Sequence, residues 1–275
     1  MKIFAKTFFL SLAFLFFACS ENTNFEQKNT GFLIEAPKQT ADMNLIARGH
    51  EGRNESSTQT SLILTANLKN AKDNSVIDVF TTTCVPEQII SVQLKGNKWD
   101  EVFVEIKFSD IKHTDLIWAY GKSDSFVLED KQTDISVELE YYDLAFYLTQ
   151  NPFELFVTDK DRNEITQKSD SGNFVVKSND VLTVEILGLD IFGEVDDPTT
   201  AEPYSISWFL NDNQICSSDI NAETGDPIPI TTSSISLIIG EIEGVLPQNN
   251  VLQAYIDIKN VDKFNASFVF DVELN

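Results

Sequence analysis

Apolar and polar residues alternate through most of this sequence from about residue 61 onward. The stretch DEVFVEIKFSD places four apolar residues on one face of an extended chain: Val102, Val104, Ile106 and Phe108. Side chains of a β-strand point alternately to the two faces of the sheet, so a period of two predicts a half-buried strand. The stretch SLILTANLKN repeats the pattern. Strands packed on one face are therefore the main building units that this chain predicts.

Predicted strands are short and frequent in both halves of the chain. QIISVQL, SFVLED and DISVELEYY follow in the first half, and VLTVEILGL, SISLIIGEI and VLQAYIDIK in the second, with turn-type stretches such as KGNKWD between them. Turn signals at intervals of about 8 to 12 residues favour sandwiches over a parallel sheet with helices. No amphipathic helix of three turns is predicted after the N-terminal segment. We predict an all-β fold of two tandem antiparallel β-sandwich domains, 59–143 and 144–275.

Both predicted domains resemble sandwiches of bacterial surface proteins. In the second, VLTVEIL at 181–187 and YSISWFLNDNQ at 204–214 resemble strands of bacterial immunoglobulin-like modules. The resemblance implies that Trp208 is a core residue between two sheets. The first domain, from LTANLKNAKDNSVID to YGKSDSFVLEDKQTDISVELEYY, resembles transthyretin-like or fibronectin-like sandwiches. A shared fold assigns no function.

The first 18 residues predict a signal peptide. Lys2 and Lys6 precede an apolar run at 7–17, which is shorter than the roughly 20 residues that cross a bilayer. Small Ala18 stands before Cys19, where the sequence changes abruptly to the polar SENTN. The alternative is an ordinary secretory signal that happens to contain a cysteine.

The tetrapeptide Phe16-Phe17-Ala18-Cys19 resembles the lipobox of bacterial lipoproteins, in the looser form of spirochaetes, because Phe16 replaces the usual leucine. The resemblance implies cleavage between Ala18 and Cys19, a diacylglycerol on the Cys19 sulfur and an acylated new amino terminus. Ser20, in place of aspartate, implies sorting to the outer membrane, where the protein faces the periplasm or the outside. Several acyl chains on one residue hold a protein far more firmly than a single chain does.

Residues 19–58 are predicted to be the lipidated N-terminus and a flexible tether. They are rich in Asn, Glu, Gln, Thr and Lys and have no sustained hydrophobic period, apart from one short docked strand near 32–34. Acidic residues outnumber basic ones by 43 to 20, for a net charge of -23. This charge repels nucleic acid and does not attract anionic lipid, so we expect the membrane to be a partner only through the lipid on Cys19.

Residues that could carry catalysis are scarce. The two histidines are His50, in the predicted tether, and His113, in a predicted turn. The chain has no nucleophile elbow, zinc-binding helix motif or phosphate-binding glycine loop. Cys84 and Cys216, one in each domain, are predicted to be buried and independent, and a disulfide between them is the alternative. We therefore predict no catalysis and no cofactor.

A short acidic stretch offers the metal candidates, which are Asp159, Asp161, Asn163 and Asp170. Their spacing matches the oxygen ligands of a calcium loop, but Glu164 stands where that loop requires glycine. A hairpin turn is the preferred interpretation, so no metal is predicted. A second acidic cluster, at 193–197 with Glu202, is predicted to be a solvated loop.

These observations favour a lipid-anchored, monomeric envelope protein that acts in binding, adhesion or structural interaction, with an unknown protein or carbohydrate ligand. The alternative is a small hydrolase or carbohydrate-binding subunit with an acidic site at the domain junction. Aromatic residues grouped on one surface would indicate a binding platform. The candidates in the first domain are Trp99, Trp118, Tyr120, Tyr141 and Tyr142.

Overall fold

The computed structural model describes residues 27–51, 60–129, 135–193, 203–222 and 224–273. The predicted signal peptide, the cleavage site at Ala18 and Cys19, and the acidic loop from 194 to 202 lie outside the described residues. Within the described ranges, no helix has the length and apolar character needed to cross a membrane.

Strands of the first half form two sheets that pack face to face. The larger sheet has the order β3-β2-β5-β6-β8 with β7 beside β5, and the smaller pairs β1 with β4. The strands are β1 (Gln27–Glu35), β2 (Leu62–Asn70), β3 (Val76–Cys84), β4 (Ile89–Asn97), β5 (Glu101–Asp110), β6 (Ile117–Ser123), β7 (Phe126–Val127) and β8 (Val137–Tyr141). The alternating residues predicted to face inward on β2 and β5 are all buried.

Strands of the second half also form two main sheets, of order β16-β11-β9 and β10-β18-β17-β12-β13, and a β14-β15 hairpin. The elements are β9 (Glu154–Thr158), β10 (Phe174–Lys177), β11 (Val181–Leu187), a 3-10 helix (Leu189–Phe192), β12 (Tyr204–Leu210), β13 (Asn213–Gln214), β14 (Cys216–Ile220), β15 (Pro227–Pro229), β16 (Ser234–Ile238), β17 (Asn250–Ile258) and β18 (Lys263–Glu273). Trp208, on β12, is fully buried between the sheets, as expected.

The all-β, sandwich-like fold class is thus confirmed. One pair differs from the antiparallel expectation, because β10 runs parallel to β18. The chain passes from β9 in the three-stranded sheet to β10 in the five-stranded sheet, where β10 lies at the edge beside β18, the last strand of the chain. The family relationship and the domain boundaries stay predictions.

The segment predicted as a tether differs from expectation at residues 27–51. It forms β1, which pairs with β4 along its whole length, and helix α1 (Ala41–Glu51), a three-turn helix that the sequence pattern did not predict. Met43 and Ile46 of α1 are fully buried. Their burial depends on partners far along the chain, so local periodicity carries little signal of it.

A second helix, α2 (Leu144–Gln150), connects the two groups of sheets. Asp143 caps it by accepting a hydrogen bond from the Phe146 N–H at 2.7 Å. Asp42 of α1 accepts another from the Leu144 N–H at 3.0 Å. Helix α1 also lies against the 3-10 helix of the second half. The N-terminal segment therefore contacts both halves at their junction.

Candidate binding site

A cleft of about 410 Å³ opens at the end of the first sandwich where β1 ends, and we call it the aromatic pocket. It lies between the β1–α1 connection and strands β6 and β8. Its apolar lining comes from Ala36, Pro37, Met43, Trp118, Tyr141 and Tyr142. Polar groups at its edge belong to Glu35, Lys38 and Thr40. A concave, mostly apolar lining with a few polar groups is typical of small-ligand sites.

Backbone hydrogen bonds hold the wall of the aromatic pocket in place. The Ala36 N–H donates to the Gln88 carbonyl at 2.9 Å, and the Pro37 carbonyl accepts from the Glu87 N–H at 3.1 Å. Thr40 then caps α1, because its hydroxyl oxygen accepts a hydrogen bond from the Met43 N–H at 3.2 Å. The connection from β1 to α1 is therefore fixed at both ends.

Two tyrosines from the end of β8 form the outer side of the pocket. Tyr141 is 65% exposed. Tyr142 stacks on Phe146 with ring centroids 4.8 Å apart, and its hydroxyl donates to the Glu140 carboxylate at 3.1 Å. Partial burial, the hydrogen bond to Glu140 and the charge of Glu140 raise the pKa of Tyr142, so its phenol stays protonated at neutral pH. One ring is thus fixed and the other is open to solvent.

Trp118 forms the floor of the pocket and is 1% exposed. Its indole Nε1–H is buried and has no hydrogen-bond partner among the residues that the structure describes. By contrast, the Nε1–H of Trp208 donates to the Thr232 carbonyl at 2.9 Å. Leaving a buried donor unsatisfied costs about 1–3 kcal/mol, so such a group in a native fold calls for an explanation.

The structure brings three of the five aromatic candidates together and separates the other two. Trp118, Tyr141 and Tyr142 line the aromatic pocket. Tyr120 donates its hydroxyl to Glu105 at 2.9 Å, and burial together with Glu105 raises its pKa to about 12. Trp99 lies in the turn between β4 and β5.

Sequence reasoning did not find the part of the pocket contributed by residues 36–43. The usable signal was weak: a threonine before a short segment with an acidic first turn is a helix-start pattern, here Thr40 followed by Asp42. Nothing local indicates that this helix packs beside Trp118, because most of the strands of the first sandwich lie between the two in the sequence.

A second pocket, of about 320 Å³, lies at the junction of the two halves, and we call it the junction pocket. Its acidic lining comes from Asp115, Glu154 and Asp190, and His113 and Tyr147 lie beside them. The Tyr147 hydroxyl donates to the Asp115 carboxylate at 2.8 Å. Burial, that hydrogen bond and the charges of Asp115 and Asp190 raise the pKa of Tyr147, so this phenol remains a donor.

The calcium candidates fall into two separate turns. The Asp159 Oδ1 accepts hydrogen bonds from the backbone N–H groups of Asp161 and Asn163, both at 2.8 Å, and Oδ2 accepts from the Asn163 side chain at 3.0 Å. These bonds lower the pKa of Asp159, with Asn163 as the main donor. Asp170 belongs to the next turn, closed by the Gly172 N–H on the Ser169 carbonyl at 2.9 Å. The Asp159 carboxylate thus supports the turn itself.

No group of three or more His, Cys, Asp or Glu side chains is placed to hold a metal ion in the described part of the chain. Cys84 and Cys216 are both free thiols. Cys84 is buried, and this burial raises its pKa to about 11. Cys216 is half-buried on β14. His113 lies in the turn between β5 and β6, where the Asp110 carboxylate accepts a hydrogen bond from its backbone N–H at 3.1 Å.

A buried carboxylate in the second half was not singled out from the sequence. Asp271 on β18 accepts four hydrogen bonds, from the Asn249 N–H, the Asn173 amide and the hydroxyls of Ser169 and Ser171, at 2.7 to 2.9 Å. These donors hold the pKa of Asp271 well below its usual range. The network ties the 169–173 turn to β18, which is a structural role.

No family model matches this chain, and no curated protein matches it. Among solved structures, it is similar to a red sea bream transglutaminase, at 9% identity and a TM-score of 0.21, with 90% of this chain and 29% of that chain covered. It is also similar to a Corynebacterium diphtheriae protein described as membrane-anchored, at 10% identity and a TM-score of 0.25, with 90% and 50% covered. Likeness at this level carries no argument about function.

Proposed function

We propose that this protein is an exported binding protein, anchored to the outer membrane through lipid on Cys19, whose aromatic pocket holds a carbohydrate ligand without catalysis. The lipobox-like segment at 16–19 supports the anchor. The pocket supports the binding role. In this proposal the protein acts as a monomer, and it faces either the periplasm or the outside.

The observation that carries the proposal is the buried Nε1–H of Trp118, a residue that lines the pocket together with two tyrosines and whose N–H has no partner among the described residues. A sugar has apolar C–H faces that pack on an aromatic ring and oxygen atoms that accept hydrogen bonds. The exposed ring of Tyr141 offers the packing surface, and an oxygen that reaches Trp118 would satisfy the buried donor. Glu35, Lys38 and Thr40 are placed at the edge to bind further hydroxyls.

The binding proposal is tested with the chain from residue 20 onward on a glycan array, followed by calorimetry with the sugars that bind. We expect Tyr141→Ala to weaken binding about tenfold, because a lost aromatic packing contact is worth about 1 kcal/mol or more. Tyr255→Ala is the matched control, since Tyr255 is 38% exposed on the second sandwich, away from the pocket. Binding that is absent, or equal in the two variants, would show that the pocket is not the carbohydrate site.

The anchor is tested by incorporation of labelled fatty acid into the full chain and by membrane fractionation. The unaltered protein should carry the label and sediment with membranes, and Cys19→Ser should lack the label and be released. An unlabelled parent protein would reject the anchor. Protease treatment of intact cells then tells whether the sandwiches face the periplasm or the outside.

The junction pocket supports a second candidate, a small hydrolase. Its three carboxylates and the Tyr147 donor lie where two halves meet, as an acidic catalytic site would require. Any glycan that binds is therefore also incubated with the protein, and new reducing ends are measured. Turnover that is lost in Glu154→Gln but kept in Tyr141→Ala would favour this candidate over a binding protein.

A further inference from the structure

The start of β1 marks one end of the first sandwich. Gln27 pairs with Asn97, the last residue of β4, so the first described residue lies beside the turn at 98–100. The β2–β3 turn lies at the same end, because the Ala71 N–H donates to the Glu101 carbonyl at 2.9 Å. Strand β7 pairs with the first residues of β5 there. We call this end, made of Gln27, β7 and the turns at 71–75 and 98–100, the entry end.

Trp99 projects from the entry end. It is 66% exposed and has a φ of 73°, a left-handed conformation that is costly for a bulky residue. The turn imposes this conformation, because the Trp99 N–H donates to the Leu128 carbonyl at 2.8 Å and the Leu128 N–H donates to the Asp100 carbonyl at 3.0 Å. A large apolar ring is thus held outward on a rigid turn.

Trp99 has basic and apolar neighbours as well as the acids Asp100 and Glu101, which follow it in the chain. The Lys98 Nζ lies 5.3 Å from the centre of its ring. Val76 and Val127 at the same end are 52% and 40% exposed. Tryptophan is enriched where a bilayer meets water, because its ring is apolar and its N–H is polar, and lysine beside it extends its ammonium toward the lipid headgroups.

Charge also distinguishes the entry end from the rest of the molecule. The whole chain carries -23, but lysines are concentrated here: Lys28, Lys69, Lys72, Lys95 and Lys98. They stand among the acids Asp73, Asp78, Asp100, Glu101, Glu105 and Glu129, and Lys69 is paired with Glu105 at 2.6 Å. Acids and bases are therefore about balanced at this end, so its repulsion from an anionic lipid surface is weaker than elsewhere.

Chain length limits how far the entry end can lie from the bilayer. Eight residue steps join Cys19 to Gln27. A fully extended chain spans at most about 3.6 Å per residue, so the limit is about 29 Å, and a flexible chain of this length averages about 16 Å. A short connection of this kind keeps the local concentration of lipid high, so a contact that is weak alone becomes populated.

We propose that the entry end rests on the bilayer that carries the anchor, with Trp99 inserted at the lipid interface. This inference rests on the proposed lipidation of Cys19. The aromatic pocket lies at the other end of β1, which has nine residues and spans about 30 Å at 3.4 Å per residue. The pocket and the second sandwich would then point away from the membrane, open to ligand.

The test uses tryptophan fluorescence of the lipidated full-length protein in phosphatidylcholine vesicles that contain a quarter phosphatidylglycerol and brominated acyl chains. Trp118 and Trp208 are buried, so Trp99 is the tryptophan that the bromines can reach. We expect the brominated vesicles to remove most of the Trp99 emission. Trp99→Ala should abolish this quenching and leave fatty-acid incorporation unchanged.

A matched control moves the exposed indole away from the entry end. Leu33 is 71% exposed, and it lies six residues along β1 from Gln27. The double variant Trp99→Ala with Leu33→Trp should therefore resist quenching, because its indole lies about 20 Å farther along the strand. Equal quenching of this variant and the parent, or no quenching of Trp99 in the lipidated parent, would overturn the inference.

A missing fatty-acid label would instead reject the anchor. In that case the chain from residue 20 is held on the same vesicles by an N-terminal histidine tag and a nickel-chelating lipid. Quenching of Trp99 there would support the membrane contact, and its absence would overturn it. The two proposals therefore fail separately.

Discussion

Trp118→Phe and Trp208→Phe are a matched pair of substitutions that measure the effect on stability of one buried indole N–H with no partner among the described residues. Both indoles are buried, at 1% and 0% exposed, so both changes remove a similar apolar area. The two side chains differ in their hydrogen bonds: the Trp208 N–H donates to the Thr232 carbonyl, and the Trp118 N–H has no partner in the described part of the chain.

The expected difference follows from these hydrogen bonds. Trp118→Phe removes an unsatisfied donor, whose burial costs about 1–3 kcal/mol, so this relief offsets the lost packing. Trp208→Phe loses the packing and also the hydrogen bond to the Thr232 carbonyl, which contributes about 0.5–1.5 kcal/mol net. The free energy of unfolding should therefore fall more in Trp208→Phe than in Trp118→Phe, by about 1.5–4.5 kcal/mol.

The assay is urea unfolding of the chain from residue 20, monitored by far-ultraviolet circular dichroism. The free energy of unfolding in water is then obtained by linear extrapolation. If the two halves unfold separately, each variant is compared with the parent in the transition of its own half. Equal losses in the two variants would contradict this expectation, because they would mean that the Trp118 donor is satisfied in the folded protein.

Three further outcomes are expected. Ile46→Ala should lower the free energy of unfolding by about 2–5 kcal/mol in a denaturant titration, whereas Leu33→Ala should change it by about 0.5 kcal/mol or less; equal small effects would mean that α1 does not belong to the fold. The pKa of Asp271 is lower in the folded than in the unfolded protein, so the stability that its carboxylate contributes is present above the ordinary value of 3.8 and is lost as the pH falls below it. Between about pH 5 and pH 2, the midpoint temperature of thermal unfolding should fall less for Asp271→Asn than for the parent protein. Parallel falls of the two midpoint temperatures would contradict this expectation. A thiol reagent at pH 8 should label Cys216 and spare Cys84 until the protein unfolds, and mass spectrometry of the labelled peptides would detect the reverse order.

The hairpin turns follow from local chemistry, and the sequence indicates them well. Asp159 and Asn163 form their turn with hydrogen bonds that span four residues or fewer. Such bonds depend on nearby side chains only, so composition and spacing predict them. Three of the four donors to Asp271 belong to residues about 100 positions earlier in the chain, and no local pattern indicates this network.

The aromatic pocket could be predicted in part. Its tyrosines end a predicted strand, and Trp118 lies in the apolar stretch LIWAY. Its opposite wall comes from the segment interpreted as a tether. This wall was not predicted, because β1 and α1 gain most of their stability from contact with distant strands. For the junction pocket, the alternative interpretation of the sequence placed an acidic site where two domains meet, but it named no residue of that site.

Local patterns alone were enough to predict which faces of the strands are buried, since the two-residue period of a strand is a local property that every such stretch carries. The sequence also supplied the lipobox-like segment that motivates the anchor. The three-dimensional fold was needed to show that residues 27–51 belong to the fold, that the buried Trp118 N–H has no partner in the described part of the chain, and that Trp99 projects at the end where β1 begins. Each of these depends on pairing between residues far apart in the chain, which local patterns do not encode.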